Sequence, residues 1–199
     1  MADLFERLSH LYEEGHAREL TGLLDDASLS DGRATPAAVL IAVTDREEPG
    51  VILTQRPRGM RDHPGQVAFP GGKLEPGESA IKAALREAEE ELALPQSAPR
   101  VIGTSDLYQT GTGFLVTPVL AVVPPDLPLV PSPSEVEAWF EVSLETLLTP
   151  SNWESQEVHW KGKWRRYFEM NYEGFRIWGV TAAIILNLAR RIDVSALRD

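Results

Sequence analysis

The segment from Gly72 to Leu94, GKLEPGESAIKAALREAEEELAL, constrains this chain more than any other. At about 100° per residue, Glu87, Glu90 and Glu91 fall within roughly one third of the circumference of a helix. A different stripe of apolar side chains has the spacing of a helix packed on a core: Ile81, Leu85, Ala88 and Leu92. The segment therefore predicts an amphipathic helix with one carboxylate face.

The carboxylate face has two interpretations. Charge runs are usually solvated helix surface. However, Glu87 and Glu91 are like charges at positions i and i+4, and their repulsion costs about 0.2–0.5 kcal/mol. Within the helix, only Arg86 is placed to reduce this repulsion. A bound Mg²⁺ or Mn²⁺ would neutralise the remaining negative charge, because hard cations prefer oxygen ligands and commonly bind carboxylates and substrate phosphates together. Helix geometry alone leaves both interpretations open.

The loop before this helix is rich in glycine and proline. Phe69-Pro70-Gly71-Gly72 ends a short apolar run, Glu75-Pro76-Gly77-Glu78 leads into the helix, and Ser79 is a candidate N-cap. Small side chains continue the acidic face toward the helix start, where we expect room for a loop or ligand: Ala80, Ala83 and Ala84. The pattern predicts a strand, then a glycine-rich loop, then an acidic helix.

This unit resembles the Nudix hydrolases. Their signature is Gly, five residues, Glu, seven residues, Arg-Glu, an apolar residue, any residue, Glu-Glu, any residue, Gly and an apolar residue. The corresponding positions here are Gly72, Glu78, Arg86, Glu87, Ala88, Glu90, Glu91, Ala93 and Leu94. One position departs, since Ala93 stands where the family usually has the Gly that eases a left-handed helix end.

The resemblance implies a role for each charged position. Glu87 and Glu91 would ligate Mg²⁺ or Mn²⁺, and Glu90 would complete the cluster as a ligand or as the base for water. The other two catalytic candidates are Arg86, expected to orient a glutamate, and Glu78, expected to brace loop and helix. The carbonyl of Gly72 is a further candidate metal ligand.

A second motif lies immediately upstream. Ile52-Leu53-Thr54-Gln55-Arg56, a basic segment and 65–72 (GQVAFPGG) are similar to the coenzyme A pyrophosphatase branch, where such a stretch is thought to recognise coenzyme A. The candidate substrate-binding residues are Arg56, Arg61, His63, Gln66 and Phe69. Arg56, Arg58 and Arg61 gather guanidinium groups, which suit phosphate oxygens.

Each of these candidates has a structural alternative. In the structural alternative, Arg56 and Arg61 hold a loop by pairing with nearby acids: Asp45, Glu47 or Asp62. His63 suits a general acid, a phosphate contact or a structural hydrogen bond equally, because its ordinary pKa is near 6.5. The identity of the general base is also open, because Glu135 and Glu137 are both candidates to reach the site from a loop.

Composition narrows the class of protein. The chain has 199 residues, 43% of them hydrophobic and 25% charged, and no cysteine, which excludes disulfides, a thiolate zinc site and a cysteine nucleophile. A net charge of −11 disfavours nucleic-acid binding and makes a polyanionic substrate dependent on cations. No apolar run approaches the roughly 20 residues of a membrane span, and MADLFERLSHLYEE lacks the pattern of a secretory signal. We expect a cytoplasmic protein.

The remaining pattern predicts an α/β fold. Helices are expected at 3–13, 17–25, 144–148 and 178–192, strands at 37–43, 51–55, 100–106, 114–123 and 136–142, and a proline-rich loop at 124–133. Strands with helices on both sides indicate an α/β/α sandwich with a mixed β-sheet, the Nudix fold that the resemblance also implies. We expect a single domain over 1–199, with a helical N-terminal extension at 1–30 and the core at 35–195.

The segment 159–170, HWKGKWRRYFEM, predicts a hairpin that turns at 161–163. It interleaves aromatic residues with cations: Trp160, Lys161, Lys163, Trp164, Arg165 and Arg166. Such a surface can stack an adenine, but half of a strand's side chains point away from any one face. A surface hairpin with its tryptophans packed inward is the simpler hypothesis and the one favoured here.

The resemblance implies hydrolysis of the diphosphate bond of coenzyme A or its derivatives to adenosine 3′,5′-bisphosphate and 4′-phosphopantetheine. The expected partner is thus a small nucleoside diphosphate derivative, with no nucleic acid or membrane. Two alternatives stay open. The same site would suit ADP-ribose, a dinucleotide or a nucleoside triphosphate, or the chain is a catalytically idle nucleotide-binding module.

Overall fold

The computed structural model describes residues 3–30, 32, 34–60, 63–160 and 162–197. The α-helices are α1 (Leu4–His16), α2 (Ala80–Leu92), α3 (Leu144–Leu148) and α4 (Val180–Arg191). Short 3₁₀ turns lie at Ala27–Leu29, Pro150–Asn152 and Val194–Leu197. The strands are β1 (Thr35–Thr44), β2 (Gly50–Gln55), β3 (Val67–Ala68), β4 (Gly71–Lys73), β5 (Arg100–Thr104), β6 (Tyr108–Gln109), β7 (Phe114–Val123), β8 (Ala138–Ser143), β9 (Glu154–Trp160), β10 (Lys163–Tyr172) and β11 (Phe175–Trp178).

The main sheet is built around one long parallel pair. Strands β1 and β7 run parallel from Thr35 opposite Phe114 to Thr44 opposite Val123. Every other pairing in this sheet is antiparallel: β2 and β4 on β1, β3 and β8 on β2, and β5 and β6 on β7. The sheet is therefore mixed, as expected.

Alternation along the central strands divides the core into two layers. Ile41 and Val43 of β1 face the cluster that includes α1, α3 and α4. Leu40 and Ala42 of the same strand face the cluster that includes α2. Successive side chains of a strand point to opposite faces, so both faces of the sheet are covered by helices. The predicted α/β/α sandwich is confirmed.

The predicted helix at 17–25 is wrong. This stretch is an irregular strap, and Gly22 has a φ of +65°, outside the helical region. The carbonyls of Thr21 and Gly22 accept hydrogen bonds from Arg190, while the Asn187 side chain bonds both the N–H and the C=O of Leu24. Side chains of α4 thus provide the partners that helix formation would otherwise have provided.

The predicted hairpin is present but belongs to a separate three-stranded sheet, in the order β11-β10-β9. Trp164 is 75% exposed, so the expectation that the tryptophans pack inward is wrong for this residue. Arg165 forms an ion pair with the buried Asp26 of the strap. This cation therefore joins the hairpin to the N-terminal segment; Lys161, expected at the turn, lies outside the described residues.

Helix α2 begins after the N-cap residue Ser79 and ends at Ala93. Ser79 Oγ accepts a hydrogen bond from the Lys82 N–H, as expected of an N-cap. Ala83 and Ala84 are fully buried against the sheet, so the room expected beside them is filled by core packing rather than open to a ligand. Ala93 ends the helix in the left-handed region, with a φ of +54°.

The described residues contain no helix that is both long and apolar enough to cross a membrane.

We predict that Ala93→Gly raises the free energy of unfolding by about 0.5–1 kcal/mol. A non-glycine residue in the left-handed region costs about 1–2 kcal/mol, and the greater entropy of Gly in the unfolded chain cancels only part of that gain. Chemical denaturation measures the difference. Lys82→Gly, an exposed position within the same helix, should lower stability by about 0.5–1 kcal/mol; a loss of stability in Ala93→Gly would contradict the strain argument.

Candidate functional site

The glycine-rich loop reaches helix α2 through strand β4. Gly72 lies opposite Ala38 of β1, and a Cβ on Gly71 would lie 2.3 Å from the Ala38 carbonyl oxygen. A Cβ on Gly72 would lie 2.4 Å from Oε1 of Glu87. Real Cβ atoms do not come this close, so only glycine at position 72 lets the Glu87 carboxylate rest against the strand.

Arg86 joins the loop to the carboxylate face. Its guanidinium donates two hydrogen bonds to Glu78, Nε to Oε1 at 3.0 Å and Nη2 to Oε2 at 3.1 Å. Nη1 donates to Glu87 Oε1 at 2.9 Å and to Glu90 Oε2 at 3.1 Å, and Nη2 also reaches the carbonyl of Lys73. One side chain therefore contacts three of the predicted acidic positions.

The hydrogen bonds between Arg86 and Glu78 stabilise the charged form of both side chains. Hydrogen bonding to Glu78 raises the pKa of Arg86, and the bond from Arg86 lowers the pKa of Glu78. Glu78 Oε2 also accepts from the N–H of Glu75, at 2.9 Å. Glu78 is therefore ionised, and it fixes the turn that precedes α2.

Glu87 and Glu91 lie in a less hydrated environment than Glu90. The Glu90 side chain is 53% exposed, whereas that of Glu87 is 16% exposed. Burial raises the pKa of Glu87, partly offset by Arg86. Burial raises the pKa of Glu91 to about 8, with further contributions from the charges of Glu87 and Glu135 and opposing ones from the Gly71 N–H and Arg56.

The donor set fits a divalent cation, although its side chains are not yet arranged around one. Within the described ranges, no group of three or more His, Cys, Asp or Glu side chains has the geometry of a metal site. Glu87 and Glu90 each accept a hydrogen bond from Arg86. Oε2 of Glu91, however, is buried without a hydrogen-bond partner, and a cation would give this desolvated oxygen a partner.

The upstream basic segment lies beside this cluster. The charge of Arg56 lowers the pKa of Glu91, and the Arg56 Nε is buried without a hydrogen-bond partner. Among the ion pairs of the described residues, none links Arg56 to Asp45 or Glu47. Pairing of Arg56 with Asp45 or Glu47 is therefore not what the structure shows, while Asp62, the third acid considered, lies outside the described residues. Arg61 lies outside the described residues.

His63 and Gln66 form the turn that follows. His63 is exposed and has a φ of +53°, and its carbonyl accepts a hydrogen bond from the Gln66 N–H. The carbonyl of Gln66 accepts one from the Arg56 N–H, which closes the loop onto the end of β2. These bonds hold the backbone of this turn beside Arg56.

Phe69 is corrected. Its side chain is 4% exposed and packs in the core cluster on the α4 side of the sheet. A ring buried in this way anchors the loop between β3 and β4 and offers no surface to a substrate. We do not retain Phe69 as a substrate-binding residue.

The structure separates Glu135 from Glu137. Glu137 Oε2 accepts a hydrogen bond from the Arg58 N–H at 2.9 Å, so its carboxylate holds the basic segment in place. Glu135 is exposed, and its charge raises the pKa of both Glu87 and Glu91. The charge of Glu135 therefore acts on the carboxylate cluster, whereas Glu137 is engaged in holding a loop.

Sequence reasoning missed how the proline-rich loop is attached. The N–H of Ser132 donates to the carbonyl of Glu91, and the N–H of Val130 donates to that of Leu92, each at 2.8 Å. These bonds satisfy carbonyls at the end of α2 that a helix leaves unpaired. The signal was available in principle, because a loop between prolines still needs partners for its few N–H groups.

Comparison with known proteins gives consistent matches. The NUDIX domain family model matches residues 34–164. The protein NudL of Escherichia coli strain K12, an uncharacterized Nudix hydrolase, is 46% identical over 159 residues, which cover 79% of this chain and 83% of NudL. NudL of Shigella flexneri is 46% identical over 160 residues, covering 80% and 83%. Among solved structures, the Nudix hydrolase RenU of M. smegmatis is 25% identical, with a TM-score of 0.49 over 56% of this chain and 72% of RenU.

We predict that Mg²⁺ affinity rises with pH. Below pH 8 a proton occupies Glu91 and competes with the cation, so the affinity should increase roughly tenfold per pH unit between pH 6 and 8 and level off above. Calorimetric titration with Mg²⁺ at constant ionic strength measures this. Glu91→Gln should bind more weakly at pH 9 and lose most of the slope, and an undiminished slope in that variant would contradict the assignment.

Proposed function

This chain belongs to the Nudix family of hydrolases, and we propose that it cleaves the diphosphate bond of coenzyme A or its derivatives to adenosine 3′,5′-bisphosphate and 4′-phosphopantetheine. Members of this family hydrolyse pyrophosphate bonds of nucleotide derivatives and generally use divalent metals such as Mg²⁺ or Mn²⁺. The choice of coenzyme A is supported by the upstream motif from Arg56 to Gly72, which is similar to the coenzyme A pyrophosphatase branch and in which Arg56 keeps a buried, unpartnered Nε.

The reaction consumes one water. An oxygen–phosphorus bond forms between water and one phosphorus of the anhydride, the bridging oxygen leaves with the other phosphate, and the proton of water passes to a base. Mg²⁺ or Mn²⁺ held by Glu87 and Glu91 would polarise the phosphoryl oxygens and lower the pKa of a coordinated water. The chain's own side chains then have to position the diphosphate and accept the proton.

The carboxylates divide these tasks according to their surroundings. Glu87 and Glu91 are less hydrated than Glu90 and serve as metal ligands, with Glu90, the exposed member, completing the cluster. Arg86 orients Glu87 and Glu90, and Glu78 fixes Arg86 and the loop. The carbonyl of Gly72 is a further ligand candidate, since its strand touches Glu87.

Glu135 is proposed as the general base. It is exposed, its charge acts on both Glu87 and Glu91, and no hydrogen bond among the described residues engages its carboxylate. Arg56 and Arg58, with Arg61, supply guanidinium groups for the phosphates of the substrate, and His63 and Gln66 lie in the same loop. On a chain with a net charge of −11, these cations and the bound metal attract a polyanionic substrate.

We predict that purified protein with Mg²⁺ or Mn²⁺ cleaves coenzyme A well ahead of ADP-ribose, NADH and dATP. Chromatographic analysis of the phosphate products distinguishes the four reactions. Preference for another diphosphate would keep the metal mechanism and overturn the role of the basic segment in selecting coenzyme A. Cleavage of none of them would favour a catalytically idle binding module.

We predict that Glu91→Gln lowers kcat by at least ~10²-fold while the fold is retained, because one electrostatic stabiliser of the transition state is lost. Glu89→Gln is the matched control, since Glu89 lies on the same helix, is exposed and hydrogen-bonds Gln96. Steady-state kinetics at saturating Mg²⁺ and circular dichroism measure both effects. Equal turnover in the two variants would remove Glu91 from the proposed ligands.

We predict that Glu135→Gln lowers kcat about 10²-fold or more, the usual contribution of a general base. Glu137→Gln should stay near the wild-type kcat, because the glutamine oxygen still accepts from the Arg58 N–H. A larger loss in Glu137→Gln than in Glu135→Gln would reverse the assignment.

A further inference from the structure

A proline-lined groove opens beside the candidate site. Its volume is about 360 Å³, within the ~300–1,000 Å³ typical of small-molecule sites. It is lined by Pro57, Pro131, Pro133, Val136 and Glu137. Val136 is 2% exposed and forms part of the core cluster beneath it. The groove therefore has an apolar wall on both sides and a packed floor.

The groove lies beside the basic segment. Pro57 directly follows Arg56, whose charge acts on Glu91. On the opposite wall, Ser132 lies between the two prolines, and its N–H bonds the backbone carbonyl of Glu91 at the end of α2. The N–H of Glu137 bonds the carbonyl of Gln55 and thereby joins the two walls at the ends of β2 and β8. Each wall is therefore tied to a segment that carries a candidate site residue, Arg56 on one side and Glu91 on the other.

The chemistry of the lining excludes the anionic half of a nucleotide substrate. Proline has no N–H to donate to a phosphate, and none of the five lining residues is cationic or aromatic. The carboxylate of Glu137 would repel a phosphate. Its Oε2 is engaged by the Arg58 N–H, which leaves Oε1 to accept from an amide N–H. The groove suits an uncharged, branched aliphatic chain that carries amides.

We infer that this groove receives the pantetheine arm of coenzyme A, with the gem-dimethyl group between the prolines and an amide N–H at Glu137. This inference rests on the proposed function. It implies that the adenosine 3′-phosphate half lies on the other side of the diphosphate, away from the groove. The arm then distinguishes coenzyme A from nucleotides that lack it.

Filling the groove with bulk tests this inference. Pro133→Trp places an indole in the groove, and Pro128→Trp is the matched control, since Pro128 is exposed in the same loop and does not line the groove. The readout is inhibition of coenzyme A cleavage by each product separately. In Pro133→Trp we expect the inhibition constant of 4′-phosphopantetheine and the KM for coenzyme A to rise about tenfold or more. The inhibition constant of adenosine 3′,5′-bisphosphate should not change.

The outcomes separate the inference from the proposed function. Unchanged inhibition by 4′-phosphopantetheine in Pro133→Trp, with Pro57→Trp on the other wall as a second variant, would overturn the groove assignment while coenzyme A cleavage stands. An equal rise for both products would also overturn it, because the substitution would then act on the shared phosphate site. Failure of the wild-type protein to cleave coenzyme A would instead overturn the proposed function. Thermal melting of each variant shows that the fold is retained.

Discussion

The guanidinium of Arg86 is the contact on which the candidate site depends. It bonds Glu78 through two parallel hydrogen bonds and reaches Glu87, Glu90 and the carbonyl of Lys73. Its side chain is 19% exposed, so these bonds are poorly screened by water. Forked arginine–carboxylate pairs fix geometry as well as charge. The glycine-rich loop, the turn before α2 and the acidic face of α2 are therefore held in one arrangement.

The rest of the fold brings these parts together. The parallel pair of β1 and β7 is buried on both faces, and it supports β4, which carries Gly71 and Gly72 against α2. At Gly71 a Cβ would collide with the backbone of β1, and at Gly72 it would collide with the Glu87 carboxylate. Glu91, on the same face of α2, is desolvated, and its Oε2 lacks a hydrogen-bond partner. A carboxylate in that state is costly on its own and favourable when a divalent cation binds it.

The sequence predicted those parts of the fold that local pattern determines. The caps of α2, strand β7 and helix α3 follow from periodicity and from Ser79 and the flanking prolines and glycines. The strap at 17–25 was predicted wrongly because its partners, Asn187 and Arg190, are more than 160 residues away in the chain. The exposure of Trp164 likewise depends on a second sheet whose packing no local pattern predicts.

The candidate site was predictable in type and spacing but not in detail. The spacing of Glu87, Glu90 and Glu91 placed them on one face, yet it gave no sign that Glu91 is buried and Glu90 exposed. Phe69 illustrates the same limit, since its burial depends on helices distant in the chain. The choice between Glu135 and Glu137 depended on a single hydrogen bond to the Arg58 N–H. Such contacts are set by tertiary packing rather than by the motif.

We expect the desolvated carboxylates of α2 to bind a divalent cation while Arg86 stays on Glu78. Crystals grown with Mn²⁺ and measured at a wavelength where manganese scatters anomalously would locate that cation. The expected result is anomalous density in direct contact with the carboxylates of Glu87 and Glu91, with the Arg86–Glu78 fork retained. Density only at other acidic residues, or none at the cluster at saturating Mn²⁺, would show that these carboxylates are not the metal site.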